Sequence, residues 1–569
     1  MSLLSSLFCR LTPVVSLLML ATSLAAMPAH PDVVLRHARQ GTLDRLAARS
    51  RTLHMRTLDQ TRTREALPGR IFPSSGTRRI PILVIGYSDV NLSPASSQTF
   101  YNNLFNGSTL PPLSMKKYFA DMSGNTLDLT IDVHMVGKAA NTAAYYGQNI
   151  NDFDAKPASL VGEAIDKAEA AGINWALYDN DNDGKVDVVM VIHAGPGEEF
   201  SDVANHIWSH AWSLTGGKNN GDGTGPRTYD GKTIDAYTIQ PEYNDLAGDS
   251  TIGVFCHEFV HKLGLPDLYD TTYATQGVGQ FSLMANGAWL GPGKNGSRPA
   301  PLLAWERYIL GWVQLTDAPA SGTLTTRSGY QPSFTAQHQG GTKSGQADAA
   351  DSSDIPLLLT VCVILISRRL RRSAGRISLS LLCLFSAGLG GCSDDEEPLP
   401  RASASYQVSL SDIESSRTAL AIPLGDTANK QGYIVENKQR ISGTWTEYLP
   451  GSGLLITRIH QEVYNATVGY NTVNDGANRI HGVTIVEADN DNMLWKGRDL
   501  AAGTVEYSDS GRQEDLFVSR SFTAETRPAS FWHTASAAPW SSSGTRLSAA
   551  GLSSISPSGS VMSFICHVP

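Results

Sequence analysis

His257, Glu258 and His261 stand in the order His-Glu-x-x-His. On a helix, residues four apart share one face, so both imidazoles can reach a single metal ion. Glu258 follows the first imidazole, where a carboxylate can take a proton from a metal-activated water. These five residues alone would also suit a core helix with two satisfied histidines. The stretch continues, however, as His257-Glu258-x-x-His261-x-x-Gly264-x-x-Asp267. Gly264 can take the positive φ that ends a helix abruptly. The returning chain then offers Asp267 as a third ligand, with Asp270 as the fallback. Zinc held by three protein ligands keeps a position for water.

This is the elongated metzincin-type arrangement, with Asp where His is more usual. That arrangement also needs a methionine turn beneath the metal. "GQFSLMANGAW" (279–289) follows shortly after and supplies Met284. A second group of ligand types lies upstream in "DNDNDGKVD" (179–187). Asp179, Asp181, Asp183 and Asp187 fall at positions 1, 3, 5 and 9 of a calcium loop, with Gly184 at the sharp turn. Lys185 would lend its backbone carbonyl. Met190 stands where the bidentate Glu of a full EF-hand belongs, so another carboxylate must come from elsewhere. "EADNDN" (487–492) is a weaker acidic turn, and "HIWSHAW" (206–212) reads as a packed aromatic segment near the cleft.

These residues need a scaffold. "IPILVIGYSD" (80–89) and "VDVVMVIHAG" (186–195) read as buried strands, and "LDLTIDV" (127–133) alternates like a half-buried one. "SMKKYFADMSGN" (114–125) predicts a short helix stopped by Gly124. "ASLVGEAIDKAEAAG" (158–172) predicts an amphipathic helix whose apolar face is Leu160, Val161, Ala164, Ile165 and Ala168. Beyond residue 401, short strands such as "YIVENKQ", "GSGLLITRIH" and "GVTIVEAD" alternate with Gly, Ser and Asn turns. The fold class expected is an α+β metzincin-like zinc protease domain with a C-terminal β-rich region.

The chain of 569 residues is too long for one core. Its net charge of −9 argues against a general nucleic-acid binder. Its 6 cysteines show no zinc-knuckle spacing and no disulfide framework. Residues 1–25 read as a secretory signal, with an apolar stretch ending at the small residues Ser23-Leu24-Ala25. Residues 26–79 read as a propeptide. From 30 to 79 there are eleven Arg, no Lys and four acids, and Arg78-Arg79 offers a processing site. The catalytic domain is expected at 80–343 and a β-rich part of the protease at 404–569. Between them, 344–403 carries two short apolar runs, a basic "SRRLRR", and Cys392 before an acidic tail, as a lipoprotein signal does. An inserted membrane-targeting segment, a fused gene and a buried hairpin all suit that composition.

"HEFVHKLGLPDLYD", "FSLMANGAW" and "YDNDNDGKVDVVMVIHAGPGEE" together resemble the immune inhibitor A-like family of secreted bacterial metalloendopeptidases. "YIVENKQ", "LPGSGLLITRI" and "FTAETRPASF" are similar to that family's later segments; residues 344–400 lie outside the resemblance. The resemblance implies a zinc endopeptidase with a propeptide and structural calcium. It implies zinc on His257, His261 and Asp267, and Glu258 as general base. The expected function is hydrolysis of peptide bonds in proteins by a Glu-assisted, zinc-bound water, with protein or peptide substrates and no nucleic acid. The expected location is extracellular, with cell-surface or outer-membrane association if 344–403 is an anchor. The rival is a calcium-stabilised surface lipoprotein or adhesin without protease activity.

Overall fold

Apolar runs and alternation build a six-stranded sheet: β1 (Ala25–Ala26), β2 (Gly76–Gly86), β3 (Leu127–Lys138), β4 (Val189–Pro196), β5 (His210–Ser213) and β6 (Ala236–Tyr243). The computed structural model describes residues 25–55, 72–107, 113–317, 404–424, 431–476, 479–490, 494, 510–523, 526–528, 531–533, 545–547 and 550–568. The strand order is β1-β5-β6-β4-β2-β3. Strands β6, β4, β2 and β3 run parallel to their neighbours, while β5 is antiparallel to β6 and β1 antiparallel to β5. The apolar half of β2 is buried throughout, as a central parallel strand covered on both faces must be. The alternation in β3 leaves every second residue partly exposed at the sheet edge.

Pleating sends successive side chains of β2 and β4 into two cores. Ile82, Val84, Met190 and Ile192 pack with Phe255 and Phe259 of helix α5 (Gly253–Lys262). Leu83, Ile85, Val189 and Val191 pack on the opposite face. There they meet Leu160, Val161, Ala164, Ile165 and Ala168 of α4 (Pro157–Ala170), the apolar face expected from its spacing. Helices α1 (Pro31–Gln40) and α2 (Leu43–Met55) follow β1, and α3 (Met115–Ser123) is capped by Ser114 and ended by Gly124 at φ 70°. Arg78 and Arg79 lie inside the paired strand β2, where Arg79 Nε is 2.5 Å from Asp132 Oδ2 of β3.

Helix α6 (Ala304–Ile309) leads into β7 (Gln314–Asp317). The later chain supplies β8 (Ala404–Ser411), β9 (Thr418–Pro423), β10 (Gln431–Lys438), β11 (Gly453–His460), α7 (Gln461–Thr467), β12 (Val483–Ile485), β13 (Gly551–Ser553) and β14 (Val561–Val568). One sheet runs β7-β9-β10-β11-β12 and another β8-β14-β13. The strand before residue 318 therefore pairs with strands after 403. Ile434 and Leu455 share a core with Phe259, and Trp305 meets Tyr464 edge-on at 4.9 Å.

The result is a mixed α/β protein with several sheets. Residues 1–24 and 318–403 lie outside the described residues, and with them most of the expected signal, the segment 344–403 and Cys392. No helix among the described residues is long and apolar enough to cross a membrane.

Candidate metal centre

Helix α5 is buried along its whole length. Its first residue must be glycine, because a Cβ on Gly253 would stand 2.2 Å from Ala288 O, four residues after Met284. It ends before Gly264, whose φ is 95°. That sharp end brings Asp267 back over the helix. His257 Nε2 and His261 Nε2 lie 3.3 Å apart, and Asp267 Oδ1 is 2.9 Å from the first and 3.4 Å from the second. Ligand atoms of a tetrahedral zinc, each about 2.0–2.1 Å from the ion, stand roughly 3.3 Å apart.

The protons are placed by the neighbours. His257 Nδ1 is 2.9 Å from Leu283 O, and His261 Nδ1 is 2.8 Å from Leu265 O. A carbonyl only accepts, so each Nδ1 carries a hydrogen and each Nε2 is the nitrogen turned towards the converging group. Burial lowers the His261 pKa, which favours the neutral ring. Two imidazole nitrogens and a carboxylate oxygen thus converge, each ring oriented by a carbonyl behind it, an arrangement that fits a cation. Met284 is fully buried, and its turn acts through its backbone: Leu283 O holds His257, and Met284 O accepts from Leu268 N at 2.8 Å.

Glu258 is also fully buried, and neither carboxylate oxygen has a hydrogen-bond partner among the described residues. Burial first, then the charges of Asp267 and Glu199, pushes its pKa well above the usual carboxylate range. The Met27 amide favours the charged form slightly, but its hydrogen bond goes to Ser209 O at 3.1 Å. Next to it, Lys262 donates to Trp212 O at 2.7 Å, and burial brings its pKa down to about 7.

Asp270, the fallback ligand, points elsewhere. Its carboxylate accepts from the amides and hydroxyls of Thr272 and Thr275 at 2.6–3.1 Å. Of the calcium-loop residues, Asp179, Asp181 and Asp183 come together, whereas Asp187 turns to the amide and side chain of Asn180. Lys232 Nζ already sits 2.6 Å from Asp179, and Lys185 Nζ lies 3.2 Å from Asp183. Glu487 and Asp489 gather with Asp515 as a third acidic group. In "HIWSHAW", His210 bonds Trp208 O and Tyr237 OH, a packed role at the cleft edge.

Two parts of the site are not visible in local spacing. Asn471 lies 204 residues beyond Asp267; its side chain accepts from the Asp267 amide at 2.8 Å and donates to Asp267 Oδ2. Asn474 and Asp475 hold the same loop through Leu268 O and Thr271. The asparagine-rich "YNTVND" is the sequence cue for this clamp. Partners that orient a ligand typically change metal affinity about 10–100-fold. If the three atoms hold a metal, Asn471→Ala is expected to weaken its binding by that factor in a competitive chelator titration; an unchanged Kd would remove Asn471 from the site.

The second part is the stretch 25–30, which leaves edge strand β1 at Ala26 and passes Glu258 at Met27. Met27 N donates to Ser209 O, and Trp208 Nε1 donates to Met27 O at 2.7 Å. Tyr269 OH holds Ala26 O, Trp289 Nε1 holds Pro28 O, and Tyr273 OH accepts from Ala29 N. An extended segment added to an exposed strand is how sheets take up peptides.

Residues 95–313 match the sequence model of the immune inhibitor A peptidase M6 catalytic domain. The chain is 36% identical over 228 residues to the pre-pro-metalloprotease PrtV of Vibrio cholerae serotype O1, covering 35% of this chain and 23% of that protein. It is 34% identical over 206 residues to immune inhibitor A of Bacillus thuringiensis subsp. alesti, covering 31% of this chain and 29% of that protein. The chain thus spans less than a third of the length of these relatives.

Proposed function

We propose, from the match of residues 95–313 to the immune inhibitor A peptidase M6 catalytic domain, that the chain is a secreted zinc-dependent endopeptidase of proteins. The observation that carries this reading is the convergence of His257 Nε2, His261 Nε2 and Asp267 Oδ1 with both Nδ1 protons fixed on carbonyls. When bound, zinc supplies a Lewis acid that acidifies water and polarises the scissile carbonyl. Glu258, buried and free of competing hydrogen bonds, takes the proton of the attacking water and passes it to the leaving amine. The fold reading that goes with this chemistry is metzincin-like, with Met284 as the turn beneath the metal.

Secretion rests on the apolar residues 1–25, and the propeptide on the arginine-rich composition of residues 26–79. Surface attachment through 344–403 remains part of the same reading. Measuring zinc per chain alongside casein hydrolysis tests the function. The expected result is one zinc, inactivation by chelator and recovery with zinc; a pure, folded, zinc-free and inactive chain sinks it.

Structural calcium at Asp179, Asp181 and Asp183, with the Lys185 carbonyl and Asp187, belongs to the proposal as well. It requires Lys232 to yield its place at Asp179 and Asp187 to leave Asn180. A calcium-selective chelator should then lower Tm by roughly 2–4 °C for each kcal/mol of binding lost. An identical melting curve with and without chelator counts against the site.

A further inference from the structure

Arg49 of α2 is buried against Asp154, Glu198 and Trp208. Its Nη2 is 2.8 Å from Asp154 Oδ1 and also contacts Glu198 Oε2, which its Nε reaches at 3.1 Å. Its Nη1 donates to Asp152 O at 2.6 Å, and the guanidinium lies over the Trp208 ring at 5.7 Å. Asp154 and Glu198 are both buried, and each is fixed without Arg49's help. Trp208 N donates to Asp154 Oδ2, and Asn149 Nδ2 donates to Glu198 Oε1 at 2.6 Å. Two carboxylates, a carbonyl and an aromatic face at these angles match the planar five-donor fork of a guanidinium better than an ammonium.

The pocket adjoins the sheet edge where β1 is paired. The indole of Trp208 that covers the guanidinium also donates to Met27 O, and the next residue, Ser209, accepts from Met27 N. Arg49 itself arrives on the segment expected to be a propeptide. Once that segment leaves, two buried carboxylates lose their cation, and they must either take up protons or accept another cation in its place.

We propose that Asp154 and Glu198 form an arginine-binding subsite, which Arg49 fills until a substrate arginine takes its place. This rests on the endopeptidase reading and on departure of the N-terminal segment. The subsite adds a preference for arginine at one fixed position near the scissile bond.

Two arms test it, both on the full chain. First, products of casein digestion are sequenced, and a peptide pair is made with arginine or neutral citrulline at the position found. The expected kcat/KM ratio is about tenfold or more in favour of arginine, because an unpaired buried charge is costly. It should fall towards one in Glu198→Gln. Absence of arginine enrichment at any position, or a ratio unchanged in both Glu198→Gln and Asp154→Asn, overturns the subsite. Second, Arg49→Ala should lose thermal stability that millimolar methylguanidinium restores and methylammonium does not. The restoration should vanish in Arg49→Ala/Glu198→Gln; failure of methylguanidinium to raise Tm overturns the pocket. A wild-type chain that cleaves nothing defeats the endopeptidase reading, while the second arm still decides the pocket.

Discussion

Replacing Glu258 by Ala or Gln is expected to lower casein hydrolysis by about 10²–10⁴-fold, the usual contribution of a positioned general base. Zinc content should stay at the wild-type value, because the converging atoms belong to His257, His261 and Asp267. The fold should survive as well. Glu258 is buried without a hydrogen-bond partner among the described residues, and Asp267 and Glu199 place further negative charge near it. Removing a carboxylate from such a place relieves desolvation and repulsion, so Tm should hold or rise. The Gln variant is the sharper probe. It keeps the shape and hydrogen-bonding capacity but cannot take a proton. Full hydrolysis by Glu258→Gln, with zinc bound, would eliminate the proposed proton transfers.

Much of this centre was legible because its chemistry is encoded at short range. A helix repeats every 3.6 residues, so His257 and His261 were bound to share a face, and Gly264 marked where the chain could turn back to Asp267. The same regularity gave the buried face of α4 and the apolar strands β2 and β4. What spacing could not give was the partner of each group. Asp267 and Asp270 are equivalent as letters; the threonines at 272 and 275 capture one and Asn471 orients the other. The calcium-loop spacing likewise could not foresee Asp187 turning to Asn180, nor Lys232 reaching Asp179 from another strand. The stretch 25–30 looked like the end of a signal and the start of a basic segment. Its small residues say nothing about the edge strand they join, because β pairing between distant segments leaves no local period.

The grip of Asn471, from the chain after 403, on Asp267 gives the second large effect its meaning. Asp267→Ala is expected to weaken zinc by more than about 100-fold, beyond the effect of losing an orienting partner such as Asn471. It removes one of three converging atoms and the only negatively charged one among them. Activity should fall with zinc occupancy and return in part at high zinc, which separates this loss from that of Glu258→Ala. Asp270→Ala makes the contrast. It should leave zinc in place and instead reduce stability by about 1–3 kcal/mol, since the Thr272 and Thr275 donors lose their acceptor in a buried turn. Metal analysis by mass spectrometry on the two variants decides between them. Zinc retained in Asp267→Ala but lost in Asp270→Ala would move the third ligand to Asp270. It would also require the loop 267–271 to rearrange around Asn471, Asn474 and Asp475, which now grip it at Asp267, Leu268 and Thr271.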